Sequence, residues 1–453
     1  MHNIPHRILV AGSGLVGALL AVMLGQRGYQ VALYEKRPDL RKTRISAGRS
    51  INLALAERGV DALKRAGIFS QVQTLLTPMR GRMLHAINGE LEFSPYGQWD
   101  NEVIYSVSRG DLNCLMMTAA EQHPNVKIYF EQLCEAVDWE KNQVSIVDLR
   151  DNTRRSVDFS LLIGCDGASS AVRQAIIKAT SGTSTYDLLD HGYKEITLPA
   201  GPGNVHQIER EALHIWPRGG FMLIALPNSD GSFTVTLFLP RKGSPSFAEL
   251  QTVHAVQEFF LEQFPDACAM IPDLSQQFFA NPMGELGTMR CYPWSYGGRS
   301  LILGDAAHAI VPFHGQGMNA GFEDCALLLK LLDENDEDWP ATMELFQQRR
   351  KQDADAIANM ALENYITMRE SVAQETFQLK KLLGFELERR FPDRFVPRYS
   401  MVMFRRYPYA EVFNRGNIQN EILDRLLSGE NDINHVDFSL AEELVMTRLS
   451  PLE

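Results

Sequence analysis

The sequence predicts a mixed α/β chain: a Rossmann-like dinucleotide-binding domain, an inserted antiparallel-sheet domain and a helical C-terminal region. Three observations predict it. A short apolar strand runs directly into Gly12-x-Gly14-x-x-Gly17 near the N-terminus. Two apolar runs, Leu213 to Leu226 and Phe233 to Leu239, flank a Pro-Asn-Ser-Asp-Gly turn, and helical periodicity dominates after Gly317. The 453 residues leave room for two or three units.

Arg7 to Ala11 reads as the first strand and Ala18 to Arg27 as the helix behind the glycine turn. Gly12 permits the tight turn, Gly14 lets the backbone approach a pyrophosphate, and Gly17 lets helix and strand pack closely. The helix N-terminus then faces the phosphates. Gly28 ends the helix, Tyr29 to Tyr34 forms the second strand, and Glu35 sits at its tip. That is where an acidic side chain accepts hydrogen bonds from an adenosine ribose. Ile8 to Leu24 is apolar enough to suggest a targeting segment, but glycines interrupt it and no small-residue cleavage site follows in register. Nothing later repeats the fingerprint, so a second nicotinamide cofactor has no Rossmann domain of its own.

Further strands are expected at Glu102 to Val107, Val126 to Phe130, Phe159 to Gly164 and Ser300 to Leu303. Met318, Phe322, Cys325 and Leu329 form one helical stripe, and Pro340 opens a long helix running to about Glu370. Asp333 to Asp338 reads as a solvated connection between helices. The expected division is a discontinuous dinucleotide domain (1–75, 100–182, 283–335), a substrate sheet (76–99, 183–282) and a helical region (336–453). With 56 acidic residues against 44 basic ones, the net charge of −12 argues against nucleic acid. Six cysteines without paired spacing point to reduced thiols in a cytoplasmic protein, and no metal site is expected.

Two further motifs complete the set. Leu161-Leu-Ile-Gly164-Cys165-Asp166-Gly167 ends a strand in an Asp-Gly turn, with Arg173 on the next helix. Leu301-Ile-Leu-Gly304-Asp305-Ala-Ala-His308 precedes the glycine-rich turn Pro312-Phe313-His314-Gly315-Gln316-Gly317-Met318-Asn319. In this order and spacing, with the glycine turn and Glu35, they resemble the flavin-dependent aromatic hydroxylases of the para-hydroxybenzoate hydroxylase type. The resemblance implies bound FAD. Asp305 would accept from the ribityl hydroxyls, and the amides of Gly317, Met318 and Asn319 would face the pyrimidine end of the flavin. Arg109 would contact FAD, Cys134 would reach the adenine through its backbone, and Leu15, Arg37 and Ala54 would join Gly12, Gly14, Gly17 and Glu35 in the cradle. Phe313 and His314 would sit beside the flavin ring, His314 by proximity only, since the flavin carries the chemistry and no side chain is required as a catalytic base.

A narrower resemblance covers most of the chain. Gly48 to Leu55, Met79 to Met83, His191 to Glu195, Ala212 to Pro217, Phe233 to Phe238, Met360 to Tyr365 and Pro397 to Met401 are similar to the kynurenine-hydroxylating branch of that family. It implies conversion of L-kynurenine to 3-hydroxy-L-kynurenine in tryptophan degradation, through an FAD C4a-hydroperoxide, with NADPH as transient co-substrate and molecular oxygen as oxidant. The substrate's carboxylate calls for a cation. Arg80 and Arg82 share one strand face, so spacing leaves both open; the resemblance selects Arg82, with Tyr96, Asn364 and Tyr399 around the head group. On residues alone, Asn364 reads as a core amide and the tyrosines as half-buried packing. Ile224, Leu226, Phe238, Phe313 and Met368 would wall the aromatic ring. The alternatives are a related hydroxylase of a phenolic acid or quinone precursor, and a non-catalytic FAD-bound redox or interaction protein. The tail, His435 to Glu453, is amphipathic without an apolar span, so no membrane association is expected. A monomer and a homodimer fit the sequence equally.

Overall fold

The computed structural model describes residues 7–42, 52–371, 375–428 and 432–452. Two compact units emerge, one of Met1–Leu76, Val107–Leu189 and Leu286–Ala358, the other of Thr77–Ser106, Asp190–Glu285 and Asn359–Glu453.

The first unit is built on a six-stranded sheet in the order Ser295–Tyr296, Ser300–Ile302, Leu161–Gly164, Ile8–Ala11, Val31–Glu35 and Val126–Phe130. All neighbours are parallel except the short first strand. Parallel strands covered on both faces read as continuous apolar runs, and Ile8–Ala11 and Leu161–Gly164 are buried at every position. Helix Leu15–Gln26 is apolar on every side and buried along most of its length. The glycine turn therefore stands at the carboxyl ends of parallel strands, where such sheets bind ligands. A three-stranded antiparallel sheet, Gln132–Asp138, Gln143–Asp148 and Arg154–Asp158, is an addition the apolar pattern did not announce. The connection Asn335 to Asp338 lies between helices Gly317–Glu334 and Trp339–Ile366, as the charge cluster predicts.

The second unit carries an antiparallel sheet whose central strands are Phe233–Pro240, Met222–Pro227 and Ala212–Pro217. The run Leu213 to Leu226 is thus two strands rather than one. Arg218 to Gly220 breaks it, with Gly219 at φ +74° and the Arg218 amide donating to Phe221 O. Strand Gly81–His85 joins parallel to Ala212–Pro217, and Leu91–Pro95 forms the hairpin edge. On the other side His191 to Leu198 pairs with Phe233–Pro240. Odd positions of the central strands, Leu223, Ala225, Val235, Leu237 and Leu239, form a core with Trp216, the aromatic residues of helices Val253–Gln263 and Leu274–Ala280, and Ala267 of helix Pro265–Met270. The long helix opened by Pro340 ends earlier than its sequence pattern suggests. Trp339–Ile366 gives way to a π-helical turn at Thr367–Ser371.

Candidate functional site

In the first unit the three glycines divide their work. A Cβ on Gly12, where φ is +92°, would stand 2.5 Å from Cys165 O, and one on Gly17 would stand 2.0 Å from Gly12 O. Nothing lies within 4 Å of a Cβ on Gly14. Two glycines are therefore enforced by close backbone approach, while the third opens onto free space at the head of helix Leu15–Gln26. Gly14 caps that helix without a side chain, and its first turn holds no acid, so the first-turn amides are left for an anion. This cradle fits a pyrophosphate.

Glu35 is buried at the tip of its strand. Oε2 accepts from the Ser13 amide at 2.9 Å, and Oε1 from the Arg37 amide at 2.9 Å and Arg37 Nε at 2.8 Å. Burial pushes the carboxyl up, but donation from Arg37 and Ser13 outweighs it and the net shift is downward. Glu35 is an ionised acceptor that also holds the glycine turn. Cys134 is buried on strand Gln132–Asp138, its thiol pushed up by burial and by the carboxylates of Asp166 and Glu35. Asp305 is exposed as the first residue of Asp305–His308, and Arg109 is exposed at the head of Arg109–Glu121.

Asn319 also has a side-chain role, one that the sequence reading did not include. Its Oδ1 accepts from the Ala56 amide at 2.9 Å, and its Nδ2 donates to Ala54 O and Gly315 O at 2.8 Å. The amide thereby fastens the Ala54–Ala56 segment to the turn holding Phe313 and His314, both buried. Met318 and Gly317 begin helix Gly317–Glu334, whose N-cap again supplies no side-chain acceptor. Of the segment Gly48 to Leu55, residues 48–51 lie outside the described residues.

Beneath these turns is an ion network that the sequence reading missed. Asp324 is fully buried: Oδ2 accepts from the Gly304 amide at 2.9 Å and faces His308 Nε2 at 2.6 Å, while Oδ1 takes Arg350 Nε at 2.8 Å. Arg350 and the buried Arg58 both reach Glu323, at 2.9 and 2.6 Å. Burial would raise the Asp324 carboxyl, but His308 and Arg350 hold it down at about 2. The signal was available: Glu323-Asp324 is an adjacent acid pair inside an otherwise largely apolar helix.

In the second unit, strand register sorts the other candidates. Arg82 lies opposite Leu213 and Ser94, Ile215 opposite Ile224, and Met222 opposite Phe238. Side chains alternate between faces, so Arg82, Ile224, Leu226 and Phe238 share the face turned away from the aromatic core. The structure also separates the two arginines. Arg80 is half exposed and paired with Glu211 at 2.9 Å. Arg82 is 9% exposed, and no carboxylate among the described residues lies within ion-pair distance. Its guanidinium stands 5.7 Å from the Tyr96 ring and 4.9 Å from that of Tyr399, and those rings stack at 5.5 Å. Arg82 Nε is buried without a hydrogen-bond partner among the described residues, while the guanidinium and the two phenols interact with one another. Both phenols are pushed up by burial. Asn364 and Met368 meet each other instead, Nδ2 to Sδ at 3.3 Å, where the long helix enters its π turn.

The opposite face holds a second missed cluster. His85 Nδ1 lies 2.7 Å from Asp266 Oδ2, His85 Nε2 lies 2.8 Å from His214 Nδ1, and His214 Nε2 lies 2.7 Å from Glu209 O. Trp216 Nε1 donates to Asp266, and its ring stacks on His85 at 3.9 Å. This cluster belongs to the packed side of the sheet.

A family model described as "FAD binding domain" matches residues 6–361. Kynurenine 3-monooxygenase of Myxococcus xanthus (strain DK1622) is 46% identical over 444 residues, 98% of this chain and 96% of that protein. The enzyme of the same name from Xanthomonas oryzae pv. oryzae (strain PXO99A) is 44% identical over 449 residues, 99% and 98% of the two chains. Among solved structures, tetrameric 2-methyl-3-hydroxypyridine-5-carboxylic acid oxygenase superposes with a TM-score of 0.67 at 18% identity, covering 83% of this chain and 96% of that one. Pseudomonas aeruginosa PqsL, in complex with 2-aminobenzoylacetate, gives 0.65 at 20% identity, covering 80% and 96%. At such identities the likeness is one of fold. No helix among the described residues is long and apolar enough to cross a membrane, and no metal-ligating cluster is present among them.

Proposed function

The chain belongs to the FAD-dependent hydroxylase family, with the kynurenine 3-monooxygenases, and from that premise we propose how its residues divide the reaction. The protein is an FAD-dependent aromatic monooxygenase that hydroxylates kynurenine, with NADPH and oxygen as co-substrates. FAD, when bound, would supply the oxygen activation that follows reduction by NADPH.

The protein's own part is binding and orientation. Gly12, Gly14, Leu15 and Gly17 receive the pyrophosphate, Glu35 the adenosine ribose and Asp305 the ribityl chain. Arg37, Ala54, Arg109 and Cys134 complete the hold, and the amides of Gly317, Met318 and Asn319 take the pyrimidine edge. Substrate is held by Arg82 at its carboxylate, with Tyr96, Tyr399 and Asn364 at the amino-acid head. Ile224, Leu226, Phe238, Met368 and Phe313 contact the ring and keep water from it, and His314 flanks the flavin. Fixing the ring in this way supplies the proximity and orientation that the oxygen transfer needs.

One observation carries this assignment: Arg82 is a buried cation with no acid beside it among the described residues. Buried charges are paired, and a guanidinium between two phenols, with its Nε unpartnered among those residues, is complementary to a carboxylate. The free state of all six cysteines fits a cytoplasmic protein; monomer and homodimer are both compatible with this assignment.

The test is direct. NADPH consumption is recorded with kynurenine, tryptophan, anthranilate and 4-hydroxybenzoate, and products are weighed by mass spectrometry. Kynurenine alone should yield a product heavier by one oxygen. Arg82→Ala should keep its FAD and lose substrate affinity by about 2–5 kcal/mol, roughly 30-fold to a few thousand-fold in Kd. An Arg82→Ala protein that sheds FAD yet binds kynurenine normally would overturn the assignment.

A further inference from the structure

We propose that Lys381 is a positioning and specificity residue for the substrate's head group: it clamps the strand end beside Arg82 and adds a second positive charge facing the carboxylate. The inference rests on the assignment of Arg82 given above.

Lys381 lies on helix Glu375–Arg390, outside every motif singled out in the sequence. Its Nζ donates to Ser94 Oγ and to Pro95 O, both at 2.5 Å. Ser94 is the register partner of Arg82 across the Gly81–His85 and Leu91–Pro95 pair, and it is buried on the same face. The next residue after Pro95 is Tyr96, whose amide donates to Arg80 O at 3.0 Å. One ammonium thus fixes the two residues that lead into Tyr96, directly opposite Arg82.

An ammonium has three donors, and two are spent on that strand end. No carboxylate among the described residues lies within ion-pair distance of Lys381 or of Arg82. The charged and titratable groups around this pair are Glu92 on the edge strand, which is exposed, and the phenols of Tyr96 and Tyr399. Burial, reinforced by the charge of Arg82, pulls the Lys381 ammonium down to about 7. Two cations meeting at one sheet edge, with no acid among the described residues within ion-pair distance, are poorly balanced until an anion arrives. The ligand that balances them is a free α-carboxylate; an amide, an ester or a decarboxylated amine would not.

A carboxylate also favours the charged form of Lys381, so binding and protonation are linked. Affinity should be high below pH 7 and weaken as Lys381 loses its proton above it. The experiment titrates holoenzyme with kynurenine at pH 6.5 and pH 8.5, following the flavin absorbance. It compares wild type, Lys381→Met, Lys381→Arg, Ser94→Ala and Arg82→Gln. Lys381→Met should raise Kd about tenfold at pH 6.5 and lose the pH dependence, with KM rising far more than kcat falls. Lys381→Arg should restore affinity at both pH values, because it stays charged. Ser94→Ala should raise Kd while keeping the pH dependence, which serves the test even if Lys381→Met fails to fold.

The two ways of failing are distinguishable. If Arg82→Gln binds kynurenine as wild type does, the head-group assignment itself falls. If Arg82→Gln loses affinity while the Lys381 variants keep both wild-type affinity and wild-type pH dependence, only the role of Lys381 is overturned.

Discussion

At the scale of single residues, the sharpest distinctions are made by what a side chain would collide with or leave unpaired. Gly17 carries no visible constraint in the sequence beyond its place in a motif, yet a methyl group there would meet Gly12 O at 2.0 Å. Gly17→Ala should therefore accumulate without flavin, read as loss of the absorbance near 450 nm relative to protein, with a lowered melting temperature. Asn319 makes a different demand, one acceptor and two donors on three backbone groups. Asn319→Asp keeps the shape but turns a carboxylate toward two carbonyls. We expect it to cost about 1–3 kcal/mol of stability and to weaken FAD retention in ultrafiltration. The family resemblance pointed to Asn319 for its backbone; the clip made by its side chain lies beyond the reach of local pattern, because Ala54 and Ala56 are remote in sequence. Arg80 and Arg82 show the same limit. Two arginines at alternate positions of one strand are equivalent on paper, and the acid that occupies Arg80, Glu211, comes from a distant segment.

Among secondary-structure elements, period and punctuation carried the parallel strands and the glycine-turn helix, whose buried runs are strongly apolar. They failed where polar residues sit in strands, as at Thr183–Leu198, and where two apolar strands abut across a short turn, as at Arg218 to Gly220. The histidine cluster that joins strands Gly81–His85 and Ala212–Pro217 to helix Pro265–Met270 gives this sheet a measurable acid response. His214 is held at about 4 by burial, below its ordinary value near 6.5, so it is protonated more readily in the unfolded chain. Its contribution is complete above pH 6.5 and is lost as pH falls toward 4. Asp266, also partly buried but held down at about 2 by His85 and Trp216, adds a further loss below the ordinary carboxylate range. Melting temperature measured from pH 8 to pH 3 should stay flat to about 6.5 and then decline. Asp266→Asn should lower it already at pH 7 and shallow the decline below pH 4. A profile flat down to pH 4 would contradict this.

For the whole molecule, the two compact units divide the candidate residues, with Phe313 the one proposed ring contact in the first unit. Every residue assigned to FAD falls in the first unit; Arg82, Tyr96, Tyr399, Asn364 and the sheet-borne ring contacts fall in the second. The first half was legible because a dinucleotide cradle is written in one short stretch, with glycines whose reasons are local. The second was not, because Arg82 and Tyr399 come from opposite ends of the chain and no spacing connects them. The ion network of the first unit is global in the same sense, tying Arg58, Glu323, Asp324 and Arg350 from three helices to the Gly304 turn. Removing one member leaves a buried charge uncompensated. Arg350→Met should cost about 3–5 kcal/mol in urea unfolding, and a loss below 1 kcal/mol would mean that the network is not a stabilising unit.

The alternation of faces along strand Gly81–His85 has an evolutionary reading. Arg82 and His85 belong to opposite sides of one five-residue strand, so a shift of a single residue would send the arginine into the packed aromatic layer and bring the histidine round to the face proposed to bind substrate. Descendants of this scaffold can change what they accept by respelling positions on that face. Lengthening or shortening the strand by one residue would instead exchange its two faces.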